Sequence, residues 1–383
     1  MAKLAFLNAR LITPEELIMD SALLVEDERI LGSVNLDAVP DEFAPIDLNG
    51  CWLAPGFVDI HVHGAAGADA LDADIEALKR LMKRHMQFGT TALYPTLISA
   101  PYEQTVKAVE VIDQAMHSPD LRGKILGAHL EGPFLSPEYR GAHDIRYLRV
   151  PNENEAEWQS YLDNPAVKLI TIAPELAGSE ELVRAAVSKG IKISVGHSGA
   201  GFDLLRHARN WGANQCSHIF NAMSGVHHRD PGTAGSLLTL SAYYAQFIAD
   251  GIHLHPALLH IIVRCKGMEK AVLVSDAIRC AGMPDGQYDF GDEKIVMSKG
   301  EARTERGNLA GSSITLADAV RNMVRMTPTS LQAAVYMATL APAKAMGIEN
   351  CKGSLNKGRD ADLVVMNEEL TIMQVWSKGT QVR

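Results

Sequence analysis

The chain has 383 residues, 47% of them hydrophobic, enough for one large domain and a small one. Its formal charge of −10 disfavours nucleic acid as a partner, and no apolar run is long enough to predict a membrane-spanning helix. Five cysteines without a Cys-x-x-Cys pair suit a reducing cytoplasm better than a disulfide scaffold, and Asn8 and Arg10 break any secretory leader pattern.

In chain order, Leu4 to Leu11, Ser21 to Val25 and Arg29 to Val34 read as short strands. The apolar run Trp52 to Ile60 reads as one buried strand that leads into His61-Val62-His63. From there, short apolar strands alternate with amphipathic stretches. Strands are expected at Ile60–His63, Thr91–Thr96, Ile125–Glu131, Val167–Ala173, Ile191–His197, Gln215–Ile219, Ala245–Ala249 and Ala271–Ser275. Helices are expected near Asp74–Gln87, Tyr102–Met116, Glu180–Ser188 and Phe202–Trp211. Strands return at Ala361–Met366 and Met373–Ser377. Neither end could bury a core alone. The reading is therefore an α/β chain: a (β/α)8 TIM-like barrel over 54–348, with a small β-sandwich domain built from 1–53 and 349–383. An open doubly wound sheet is the alternative, but no glycine-rich dinucleotide fingerprint follows an early strand.

In such a barrel the chemistry lies at the C-terminal ends of the strands. Those ends carry His61 and His63, two apart and so on one side of a strand, then Glu131, His197, His218 and Asp276. One histidine in such a place is most simply a hydrogen-bonded core residue; six ligand-type residues at successive strand ends point to a metal centre. Imidazole and carboxylate donors without thiolate suit Zn²⁺, with Fe²⁺, Mn²⁺ or Co²⁺ as alternatives. A metal lowers the pKa of water from about 15.7 towards 7 and polarises a carbonyl. Asp276 is then the expected base and acid, taking the water's proton and handing it to a leaving group.

This constellation resembles the amidohydrolase superfamily. The resemblance runs through Pro55-Gly56-Phe57-Val58-Asp59-Ile60-His61-Val62-His63, His129-Leu130-Glu131-Gly132-Pro133, Gly196-His197-Ser198, His218-Ile219-Phe220-Asn221-Ala222, His227-His228-Arg229-Asp230, Gly251-Ile252-His253 and Ser275-Asp276-Ala277. More narrowly, it resembles the branch that removes acetate from acetylated amino-sugar phosphates. Members that bridge two metals with a carboxylated lysine on the fourth strand fit poorly. The only lysine there, Lys168, stands at the wrong end, and Glu131 supplies the shared carboxylate instead.

The resemblance implies hydrolysis of the acetamide of N-acetylglucosamine 6-phosphate, with N-acetylgalactosamine 6-phosphate as the alternative substrate. It implies that Glu131, His197 and His218 hold one metal, and that His61 and His63 complete a second site with Glu131 and Asp276. The expectation is thus one or two divalent ions per subunit. His143, beside Ala142, is implied to hydrogen-bond the acetyl oxygen, and Leu309 to line the methyl pocket. Asn221, Ala222, Arg229 and His253 are the expected phosphate partners. In this family the arginine can come from a neighbouring subunit, which implies a homodimer. His228 is expected to be structural, and His129 to support the ligands. His85, His117, His207 and His260 are expected to be solvated. A non-catalytic scaffold is the reading from another class; the intact set of six argues against it.

Overall fold

The computed structural model describes residues 2–383. Eight parallel strands follow one another around the molecule in chain order. They are β1 (Phe57–Val62), β2 (Thr90–Ile98), β3 (Ala128–Glu131), β4 (Val167–Ile172), β5 (Lys192–Val195), β6 (Gln215–Cys216), β7 (Tyr244–Phe247) and β8 (Ala271–Leu273). They are buried on both faces, which explains why they read as unbroken apolar runs rather than as alternating ones.

No ladder joins β8 to β1; the barrel closes at its rim instead. The Asp276 N–H donates to the His61 carbonyl at 2.9 Å, and the His63 and Gly64 N–H groups donate to the Ala277 carbonyl at 2.8 and 2.9 Å. The buried Asp59 carboxylate accepts from the N–H groups of His61 and Ser275 across the same seam. The clasp therefore uses the backbone of His61, His63 and Asp276 themselves, together with their neighbours Gly64, Ser275 and Ala277.

Helices pack outside the strands. The first, Ile75–Met86, starts where the Asp74 side chain accepts from the N–H groups of Glu76 and Ala77, and it buries Leu78, Leu81, Met82 and His85 against the barrel. His85 is thus part of the core, not solvated as its sequence position suggested. It shares the face set by the spacing 78, 81, 82, 85, and its Nε2 meets the Gly64 carbonyl at 3.4 Å.

Strands from the two ends of the chain share one eight-stranded sheet. Trp52–Pro55 pairs with Lys3–Ile12 on one side and with Leu363–Met366 on the other. This sheet encloses its own cluster of Phe6, Leu11, Leu23, Leu53, Leu363 and Trp376. The run expected as one strand from Trp52 to Ile60 is therefore two strands in two sheets, divided at Gly56. The Gly56 N–H donates to the Asp362 carbonyl at 2.8 Å, and a Cβ there would lie 2.1 Å from Thr91 Oγ1. Only glycine lets the chain pass from the small sheet into the barrel this close to β2.

A further antiparallel sheet, Gly286–Phe290, Glu293–Ser298 and Glu301–Thr304, follows β8. Phe290, Ile295, Met297 and Ala302 face inward from it. The sequence reading had assigned no element there.

Candidate metal and substrate site

All six strand-end residues converge. Each is at least nine-tenths buried, and their donor atoms gather around the Glu131 carboxylate. Glu131 Oε1 lies 2.8 Å from His218 Nε2, 3.2 Å from His197 Nε2 and 3.3 Å from His61 Nε2, while Oε2 lies 3.2 Å from His63 Nε2. Asp276 Oδ1 stands 3.3 Å from His63 Nε2 and 3.5 Å from His61 Nε2. Three of the six sit just past their strands in left-handed backbone: His197 at φ 50°, His218 at φ 25° and Asp276 at φ 49°. Non-glycine residues avoid that region unless the surroundings over-determine it. Here it turns the chain at each strand end and aims the side chain into the mouth of the barrel.

The electrostatics suit a cation. Burial alone would raise the Glu131 carboxyl, but the imidazoles of His61, His143, His197 and His218 hold it well below the usual carboxylate range. Asp276 is lowered too, burial being outweighed by His61, His63 and His218. Burial opposes a charge on His63, yet Asp276 and Glu131 push it up to about 10. The centre draws positive charge inward. Nitrogen and oxygen donors in this geometry fit a divalent ion, and His61 Nε2 is buried with no hydrogen-bond partner, as an unused ligand atom would be.

Above the centre lies a cavity of about 580 Å³. Of the expected substrate residues, Ala142, His143, Asn221, Ala222, His253 and Leu309 line it; Arg229 does not. Arg229 is exposed on the loop 226–231, and its guanidinium meets the neighbouring His228 Nε2 at 2.7 Å. The Asn221 N–H turns back to the His218 carbonyl at 2.9 Å. His253 Nδ1 donates to Asp250 Oδ2 at 2.6 Å, which leaves Nε2 for a ligand. Burial would raise Asp250, but His253 holds it below the ordinary range, so that anchor is ionised.

His143 has a defined tautomer. Its Nδ1 accepts the Ser99 N–H at 3.3 Å, with Ser99 Oγ at 2.9 Å, so Nε2 carries the proton. Gly132 makes room for this contact, since a Cβ on it would lie 2.2 Å from Ser99 Oγ. Burial, followed by His197, drives the His143 imidazole down to about 4. It is a neutral N–H donor whose Nε2 stands 3.5 Å from Glu131 Oε2.

His129, fully buried, bonds Thr171 Oγ1 at 2.7 Å and packs its ring 4.6 Å from that of His61. His197 Nδ1 donates to the Tyr139 carbonyl at 2.9 Å, which leaves its Nε2 free for the centre. Several contributors were missed in the sequence: Ser99, Tyr139, Gln246 at His61, and Phe290 and Arg303 on the cavity wall. Phe290 packs 5.8 Å from His63, ring to ring, and brings the late antiparallel sheet over the site.

A closed parallel barrel with a His/Glu/Asp centre at its C-terminal rim defines a class, and residues 52–382 match the Amidohydrolase family: the chain belongs to it, an enzyme that hydrolyses an amide. The N-acetylglucosamine-6-phosphate deacetylase of Vibrio furnissii is 36% identical over 92% of this chain and 86% of that protein. The N-acetylgalactosamine-6-phosphate deacetylase of Escherichia coli O157:H7 is 33% identical over 97% of each. A mutant N-acetyl-D-glucosamine-6-phosphate deacetylase from Mycobacterium smegmatis, solved in complex with N-acetyl-D-glucosamine-6-phosphate, superposes with a TM-score of 0.93 at 31% identity, covering 100% of both chains.

Proposed function

We propose that this chain hydrolyses the acetamide of N-acetylglucosamine 6-phosphate to glucosamine 6-phosphate and acetate. The observation that carries the proposal is the pairing of a buried six-donor centre with His143, a neutral N–H donor fixed beside it, at the floor of a cavity of about 580 Å³.

The proposed roles follow from the side chains. Glu131, His197 and His218 hold one divalent ion, and His61 and His63 with Glu131 and Asp276 hold a second; zinc suits the donors. A bound ion supplies Lewis acidity to the carbonyl and makes water a competent nucleophile near neutral pH. Asp276 accepts the proton of the attacking water. The water oxygen bonds to the acetyl carbon, and negative charge develops on the acetyl oxygen, where His143 Nε2–H donates. Asp276 then returns the proton to the sugar nitrogen as the C–N bond breaks, leaving acetate and a free amine. Ala142 and Leu309 enclose the acetyl group. Asn221, Ala222 and His253 receive the phosphate, joined by Arg229 from a neighbouring copy in a cytoplasmic homodimer. The barrel, from Gly56 to about residue 348, carries the chemistry, and the sheet shared by the two ends of the chain forms its scaffold.

The test is acetate release from the two C4-epimeric sugar phosphates, side by side. The galactosamine epimer is the second reading, favoured by the relative of that name that aligns over 97% of this chain. A higher kcat/KM on N-acetylglucosamine 6-phosphate supports the first reading, and the reverse order supports the second. Turnover of neither sugar phosphate would refute both.

A further inference from the structure

Two glutamines are buried in the barrel wall, and the reaction above uses neither. Gln215 stands in β6 and Gln246 in β7, both with no exposed surface. Gln246 Nε2 donates to Gln215 Oε1 at 3.1 Å, and Gln215 Nε2 donates to Met346 Sδ at 3.6 Å. Gln246 Oε1 is thereby turned to His61 Nδ1, at 3.1 Å.

The direction of this relay is set by chemistry. Were both amides reversed, Gln215 would turn its carbonyl oxygen on the Met346 sulfur, two acceptors face to face. As they stand, the sulfur receives an N–H and every bond has one donor. A carbonyl oxygen only accepts, so His61 Nδ1 carries the proton and Nε2 keeps its lone pair. That lone pair is buried and without a hydrogen-bond partner, 3.3 Å from Glu131 Oε1 and 3.5 Å from Asp276 Oδ1. A lone pair converging with two carboxylate oxygens is repulsive unless a cation lies between them. The other tautomer would place a proton on Nε2, satisfy the carboxylates and forbid ligation.

We infer that Gln246, held by Gln215 and Met346, is a positioning residue that fixes His61 in its ligating tautomer and so decides whether the second metal position fills. The inference rests on the metal reading proposed above. His197 differs, because a backbone carbonyl, that of Tyr139, orients it and no side-chain substitution removes that acceptor. Gln246 is therefore the side chain whose replacement removes the acceptor that orients His61. A pair of buried glutamines that merely completed the core would affect stability alike, but not the count of bound ions.

The experiment strips the full chain with a chelator, dialyses it against Zn²⁺ and counts ions per chain, with thermal melts alongside. Wild type is expected to bind two. Gln246→Leu should keep one and bind the second about 10- to 100-fold more weakly, the usual cost of losing the partner that orients a ligand. Gln246→Glu, whose carboxylate still accepts the Nδ1 proton, should bind two. If Gln246→Leu does not fold, Gln246→Met, similar in length but without the carbonyl, carries the same test. A wild type that binds only one ion would overturn the inference, as would a Leu or Met variant that holds the second ion as tightly as wild type. A wild type that binds none would instead overturn the metal reading beneath it.

Discussion

Replacing His143 with Phe removes the Nε2–H donor, and with it the Nδ1 acceptor that the Ser99 N–H and hydroxyl use. The site is nine-tenths buried, and the lost proton is the one that the Ser99 N–H assigns to Nε2. Nε2 lies 3.5 Å from Glu131, too far for a strong bond, so the donor is held in reserve for charge on the substrate. Losing one such donor costs about 2.7–4 kcal/mol in the transition state, a fall of roughly 10²–10³ in kcat. The loss should appear in kcat with KM nearly unchanged, because the interaction strengthens only as the oxygen gains charge. The same imidazole also stands within reach of Glu131 and His197 in a ligand-like group, so the assay must separate donor from ligand. Steady-state kinetics and metal content are measured on one preparation. Full metal with kcat within about threefold of wild type would refute the donor role. Metal lost in proportion to activity would make His143 a ligand instead.

Asp276→Asn should keep its fold and the ion at Glu131, His197 and His218 but lose about 10²–10⁴ in turnover, since an amide cannot accept the water's proton; normal kcat with full metal would remove Asp276 from proton transfer. Arg229→Ala should lower kcat/KM on the phosphorylated sugar by about 10- to 150-fold, at roughly 1.5–3 kcal/mol for a charge-assisted bond, and hardly change the unphosphorylated one. Mixing Arg229→Ala with His197→Ala should restore activity in mixed dimers, and no recovery, with heterodimers shown to form, would place the arginine in its own subunit. Burial holds His85 down to about 4 against an ordinary value of 6.5. The unfolded chain therefore takes the proton first, so stability is complete above pH 6.5 and falls by roughly 3 kcal/mol as pH drops towards 4. Denaturant melts of His85→Leu should show a shallower acid limb than wild type, and parallel limbs would refute that origin.

The convergence of the six ligand-type residues was legible in the sequence because His61 and His63 close one apolar run, the other four each close their own, and a turn follows at once. Barrel order needs no more than strands and helices in alternation. What was not readable depends on contacts distant in the chain. Gly56 divides one apolar run between two sheets, and nothing in its periodicity separates two short buried strands from one long one. Ser99 and Gln246 act through His143 and His61, 44 and 185 residues away. Asp230-Pro231-Gly232 marks a loop at Arg229, but nothing in that signal says which way its guanidinium turns. The strands of 286–304 did leave a signal, Tyr288 and Phe290, then Ile295 and Met297, each two apart on either side of Gly291-Asp292. His85 left one too, in its spacing with Leu78, Leu81 and Met82.

The shared sheet gives synthesis an order. Trp52–Pro55 gains its partner on one side from Lys3–Ile12, but on the other only when Leu363–Met366 has been made. Between Pro55 and Leu363 lie some 300 residues, so at about 5–20 residues per second the nascent chain carries this open apolar edge for roughly 15 to 60 s. An unpaired edge invites pairing with any other strand. Chains released before Leu363 keep that edge for good, so truncation products should aggregate even when their barrel is whole.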